Sequence, residues 1–165
     1  MENLKFKQSA LPGSFIATDE LTEQDILDMA LHLASKKLSA RQKVDSPELI
    51  VDYLRCMYHN HHKEVFGAIF LDNTLSIIET KILFSGTVNH VPVIPREIIR
   101  EALMHNASCV IVFHNHLTTN STPSSGDRKT TTLLAEACAA VGLDLVDHLI
   151  LTPTGHSSFA EMGLL

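Results

Sequence analysis

The stretch Cys109-Val110-Ile111-Val112-Phe113-His114-Asn115-His116 decides how this chain reads. Its first five residues are apolar and rich in β-branched and aromatic side chains, a length and composition that predict a central strand. In extended backbone, residues two apart point to the same side, so His114 and His116 can converge on one ion at the end of that strand. A loop rich in Thr, Ser, Asn and Pro follows from Leu117 to Ser125. The pattern then predicts a helix from about Gly126 to Val141, with Gly142 as its stop. Asp127 falls in the first turn of that helix, eleven residues beyond His116. Leu143 to Leu151 reads as a further strand.

Towards the N-terminus, Pro95 opens a predicted helix through about His105, with Ile98, Ile99, Ala102 and Leu103 as its buried stripe. Val65–Leu71 and Leu75–Phe84 read as two long strands of a hairpin around the turn signal Asp72-Asn73. Ser46-Pro47-Glu48 predicts a helix start, with a capping hydroxyl, proline at the first helical position and an acid behind it; that helix runs to about Tyr58. An earlier helix is predicted with Thr22 as N-cap, Glu23 and Asp25 in the first turn, and Leu27, Ala30, Leu31, Ala34 and Leu38 along one face. The basic run Lys36, Lys37, Arg41 and Lys43 near its end reads as a solvated helix C-terminus that favours the dipole. The first 20 residues carry Pro12 and Gly13 and no periodicity, and read as a loosely ordered arm. The expected division is an N-terminal arm and helix over 1–44 and one domain over 45–165.

Composition narrows the function classes. The 165 residues suit a single domain, and 45% hydrophobic with 19% charged residues excludes wholesale disorder. Thirteen basic against nineteen acidic residues leave a formal net charge of −6, the wrong sign for gripping nucleic-acid phosphates over a broad face. No apolar run reaches the roughly 18 residues a membrane span needs. The N-terminus lacks the apolar core of a secretory signal. Cys56, Cys109 and Cys138 are odd in number, far apart and without a Cys-x-x-Cys pair, which points to a reducing cytoplasm and, for Cys109 and Cys138, to small core residues. Ten histidines are the unusual entry, because histidine is the commonest metal ligand near neutral pH.

Two His-x-His pairs occur. His59/His61 stands at the end of a helical pattern, where residues two apart do not share a face, and reads as a polar connector. His114/His116 follows a strand and has Asp127 beyond it. Two neutral imidazoles and a carboxylate make a three-ligand zinc site with an open position, the arrangement of hydrolytic rather than structural zinc. Zinc in such a site lowers the pKa of water toward about 7 and supplies a nucleophile. A strand end with two incidental surface histidines is the plain alternative.

His114-x-His116, followed after seven residues by Ser124 and after two more by Asp127, resembles the signature of the JAMM/MPN+ metalloproteases. The flanks are similar to the RadC-like branch: Phe70-Leu71-Asp72-Asn73, Ser85-Gly86-Thr87, Pro95-Arg96-Glu97, His114-Asn115-His116, Asp147-His148-Leu149-Ile150 and the run from Ser158 to Leu165. The resemblance spans about residues 45–165. It implies an α/β fold in which helices flank a mixed MPN/JAB-type sheet, with an N-terminal helical extension. It also implies Zn2+ held by His114, His116 and Asp127, and hydrolysis of a peptide or isopeptide bond in a peptide or protein substrate. It makes Glu64 the general base and Ser124 the residue that steadies the oxyanion. On the residues alone, Glu64 is an acid at a strand start and Ser124 is an N-cap for the helix bearing Asp127, a role compatible with the other.

The chain departs from the family where Leu117-Thr118-Thr119 replaces Pro-Ser-Gly after the second histidine. Gly13 is the only glycine before Gly67, so the helix–hairpin–helix module of longer RadC proteins is expected to be absent. Two further functions compete. A nucleobase deaminase needs His-x-Glu followed by Pro-Cys-x-x-Cys; no Pro-Cys-x-x-Cys occurs, and the residue after His114-Asn115 is His116 rather than glutamate. A non-catalytic MPN-like interaction module, tied to DNA repair by family name alone, is expected to lose a ligand, and none is lost. Asp147 and His148 read as a hydrogen-bonded structural pair.

Overall fold

The computed structural model describes residues 5–11, 14–37, 47–58, 63–86 and 93–165. In chain order the elements are β1 (Phe6–Gln8), β2 (Phe15–Ala17), α1 (Glu23–Lys37), α2 (Pro47–Tyr58), β3 (Val65–Leu71) and β4 (Ile77–Ser85). They continue with α3 (Pro95–Met104), β5 (Cys109–Asn115), α4 (Ser125–Ala139), β6 (Asp144–Leu151) and β7 (His156–Ser158). Five strands form one mixed sheet in the order β4-β3-β5-β6-β7. β5 runs antiparallel to β3 and parallel to β6, and α4 is the crossover that a parallel pair requires.

Alternation along β5 divides its side chains between two cores. Cys109, Ile111 and Phe113 pack in one cluster with Ile50, Val51 and Leu54 of α2. Val110 and Val112 pack in the other with Ile98 and Ala102 of α3 and Leu134 and Cys138 of α4. Helices therefore cover both faces of a mixed sheet, the α/β architecture expected. His114 and His116 share the parity of Val110 and Val112, so they emerge on the α3/α4 face at the C-terminal end of β5. That end, beside a parallel neighbour and a helix N-terminus, is where α/β sheets generally bind ligands.

Gly67 of β3 lies directly opposite Phe113 of β5. A Cβ there would collide with the Phe113 ring and lie 2.8 Å from the Lys81 carbonyl oxygen, so only glycine lets the ring fill the space over the strand. Among the described residues, no helix is long and apolar enough to cross a membrane.

The N-terminal segment differs from the loosely ordered arm expected. β1 and β2 pair antiparallel, Phe6 opposite Ala17 and Gln8 opposite Phe15. Lys5 Nζ lies 3.0 Å from Asp25 Oδ2 in the first turn of α1, which ties this ribbon to the helix. Strands of three residues are too short to leave a periodic trace. Thr22 caps α1 as expected: its hydroxyl accepts the Asp25 amide at 3.2 Å, and Asp25 Oδ2 accepts the Thr22 amide at 2.7 Å. β7, which has the same brevity, was not expected either. Pro12, Gly13, Arg41 and Lys43 lie outside the described residues.

Candidate metal centre

His114 Nε2 and His116 Nε2 are 3.0 Å apart. Asp127 Oδ1 is 3.4 Å from His114 Nε2, and Asp127 Oδ2 is 3.7 Å from His116 Nε2. One ligand atom from each of the three residues lies within 4.8 Å of the others. The sheet carries the first two: the His116 amide donates to the Leu151 carbonyl at 2.8 Å, which continues the β5–β6 ladder one residue past the strand. His116 Nδ1 is 2.8 Å from the Asn120 carbonyl oxygen. A carbonyl only accepts, so Nδ1 bears a proton and donates. The segment Leu117-Thr118-Thr119 thus curls back onto a candidate ligand.

Asp127 is delivered by the helix. Ser124 is the N-cap of α4 in a capping box: Ser124 Oγ accepts the Asp127 amide at 3.1 Å, and Asp127 Oδ2 accepts the Ser124 amide at 2.7 Å. The Ser124 hydroxyl also donates to Asp127 Oδ2 at 2.7 Å, which leaves Oδ1 as the oxygen turned to His114. The helix dipole favours a carboxylate in this first turn.

The electrostatics favour a neutral His114 and an ionised Asp127, the forms that ligate. Burial pushes the His114 imidazole down to about 4, against the pull of Asp127. Hydrogen bonding to Asp127 raises His116 despite its partial burial. Burial alone would raise Asp127, but His116 and Ser124 hold its carboxyl well below the usual range. Two imidazole nitrogens and one carboxylate oxygen, sheltered at the end of a strand, are the donor set of a three-ligand zinc site that keeps positions open for water and substrate. The residues present fit that metal.

These groups face a cavity of about 290 Å³ that Glu64, Phe66, Thr118, Ser124 and Thr130 also line. Glu64 precedes β3 and is half-buried. Its carbonyl accepts the Gly86 amide at 2.9 Å. Asn115, between the two histidines, holds both flanks of Glu64: its Oδ1 accepts the Val65 amide at 2.7 Å, and its Nδ2 donates to the Lys63 carbonyl at 3.2 Å. The Glu64 charge contributes to raising His116.

Asp147 and His148 are hydrogen-bonded as expected, through the His148 backbone amide rather than its ring. Adjacent strand residues face opposite sides, so the carboxylate and the imidazole part company. Asp147 Oδ1 accepts the His148 backbone amide at 2.7 Å, and Oδ2 accepts the Ser158 hydroxyl at 2.6 Å. The His148 ring turns instead to the site, its Nε2 lying 2.8 Å from His114 Nδ1. Asn115, Thr131 and His148 all serve the site and were not read as such from the sequence. His148 reaches the site because Val112 on β5 pairs with it on β6, a register that no local pattern in the sequence marks. His59 and His61 lie outside the described residues. Cys109 and Cys138 are buried free thiols, and burial raises both above the ordinary thiol value, as inert core residues require.

A family model described as RadC-like JAB domain matches residues 44–164. A UPF0758 protein of Thiobacillus denitrificans is 38% identical over 142 residues, which cover 86% of this chain and 63% of that one. A UPF0758 protein of Stenotrophomonas maltophilia is 40% identical over 140 residues, 84% of this chain and 60% of the relative. One from Vibrio cholerae is 37% identical over 143 residues, 87% of this chain and 90% of the relative. The chain spans about three-fifths of the length of the first of these curated relatives. With a matching family model over most of its length and relatives of this similarity, the chain belongs to the RadC-like JAB domain family.

Proposed function

We propose that this protein is a zinc-dependent hydrolase of peptide or isopeptide bonds, with a peptide or protein as substrate. The convergence of His114 Nε2, His116 Nε2 and the Asp127 carboxylate within 4.8 Å supports the reading most strongly. Zinc held there supplies Lewis acidity, which brings the pKa of water toward about 7. Glu64, on the same cavity, takes the proton from the attacking water and returns it to the departing amine as the carbon–nitrogen bond breaks. The clamp of Asn115 on Lys63 and Val65 holds the backbone that presents it. Ser124 donates its hydroxyl to the developing oxyanion, for which it must rotate off Asp127 Oδ2. The buried thiols Cys109 and Cys138 suit a cytoplasmic setting.

Glu64→Gln tests the assignment. The amide is nearly isosteric, so the variant should fold and keep its zinc while turnover falls about 10²–10⁴-fold, the worth of a positioned acid–base group. A panel of peptide and isopeptide-linked reporters first has to show wild-type turnover that chelation removes. Unchanged turnover in the variant would reject Glu64 as base, and lost zinc would make it a ligand.

A further inference from the structure

Behind His114 and His116 lies a third histidine, fully buried, that the proposed chemistry does not touch. His148 is stacked on Phe159 at 4.7 Å between ring centroids and meets the edge of Phe66 at 5.5 Å. Its Nε2 is 2.8 Å from His114 Nδ1, and its Nδ1 is 2.7 Å from Thr131 Oγ1. Thr131 Oγ1 is in turn 2.7 Å from the Asp127 carbonyl oxygen, one turn back along α4. These four groups form an unbroken hydrogen-bonded series that begins and ends on candidate metal ligands.

The direction of that series follows from its one unambiguous end. A carbonyl accepts and cannot donate, so the single hydroxyl proton of Thr131 goes to Asp127 O. The Thr131 oxygen then has only lone pairs to offer His148, which must donate from Nδ1. A neutral imidazole carries one N–H, so His148 Nε2 is bare and accepts the proton borne by His114 Nδ1. His114 Nε2 is left with its lone pair, 3.0 Å from the likewise bare His116 Nε2 and facing Asp127 Oδ1, a meeting of acceptors that a shared cation satisfies. The reverse order would set the Thr131 and Asp127 oxygens lone pair to lone pair at 2.7 Å. It would also place the His114 proton on Nε2, in the middle of the site. Full burial of His148 between the Phe66 and Phe159 rings disfavours a doubly protonated imidazole.

We propose that Thr131 and His148 are positioning residues that lock His114 in the Nδ1–H tautomer and so present Nε2 as a ligand. The consequence for metal binding rests on the hydrolase reading above, whereas the tautomer does not. The carbonyl of Asp127, whose side chain is another candidate ligand, sets the polarity, so α4 controls two members of the site at once. The general need for such partners is established: a ligating imidazole is oriented by what its other nitrogen bonds, and loss of that partner lowers metal affinity about 10–100-fold.

Two-bond proton–nitrogen correlation spectra of the imidazoles, recorded on ¹⁵N-labelled, chelator-treated protein at neutral pH, read the tautomers directly. His114 and His148 should both show a protonated Nδ1 and a bare Nε2. Thr131→Val, which keeps the shape and removes the hydroxyl, should mix or reverse these patterns and weaken zinc binding about 10–100-fold in competition with a chromophoric chelator. Thr131→Ser should restore both. A proton on His114 Nε2 in the wild type would overturn the proposal without recourse to any variant. Wild-type zinc affinity in a folded Thr131→Val protein would overturn it too, and would leave the metal reading standing. A wild type with the expected tautomers and no zinc uptake would uphold the tautomer lock and sink the hydrolase reading.

Discussion

Asn115 Oδ1 accepts the Val65 amide at 2.7 Å, and this bond locks the strand carrying both candidate ligand histidines to the segment carrying Glu64. The two residues are 50 positions apart, so the bond fixes the separation of the candidate ligands from Glu64 by tertiary structure alone.

Asn115→Ala leaves the Val65 amide buried without its partner, which should cost about 1–3 kcal/mol in urea unfolding. Because the side chain points away from the ligands, zinc content should be unchanged. Turnover should fall by about 10²-fold, as expected when a reacting group drifts by an ångström. Full activity in the folded variant would show that Glu64 is positioned by other means.

Metal analysis of protein purified without a nickel column should find about one zinc per chain. Asp127→Ala removes one of three protein ligands and should lose most of it. The double variant His59→Ala with His61→Ala should retain it. Stoichiometric zinc in the first would sink the ligand assignment, and none in the second would move the metal to the other histidine pair.

Gly67→Ala should destabilise the protein by about 1–3 kcal/mol, the usual cost of overpacking, because the new methyl meets the buried Phe113 ring. Thermal or urea melts measure it directly. Pairing the change with Phe113→Leu should recover part of the loss, and failure to do so would place the strain at the Lys81 carbonyl instead.

Glu101 of α3 is buried, and the Lys81 ammonium bonded to it at 2.7 Å holds its carboxyl below the ordinary value of 4.5, with Arg100 and His105 adding to the effect. A carboxyl depressed by folding contributes stability that is present above its unfolded pKa and lost as pH falls through the folded one. The melting-temperature gap between wild type and Glu101→Gln should therefore be widest near neutral pH and narrow below about pH 4.5. A gap constant from neutral pH down to about pH 3 would mean that the ion pair contributes nothing through its charge.

What the chain determines by itself is local. Two histidines separated by one residue in an extended run face the same way whatever surrounds them, and a capped first turn puts Asp127 at a helix N-terminus; both are legible from Cys109 to Asp127. The main helices and long strands follow from the same short-range periodicity. The N-terminal ribbon and β7 escape it because three residues carry no period. His148 meets His114 across 34 positions, and Thr131 meets His148 across 17. Those meetings depend on β5 and β6 pairing in the one register that sets Val112 beside His148, with α4 returning along the same face. Strand register is settled by the packing of whole faces against helices rather than by any residue's own neighbours. For that reason the candidate ligand set can be read from the sequence, whereas the groups that orient it are decided only when the sheet closes around them.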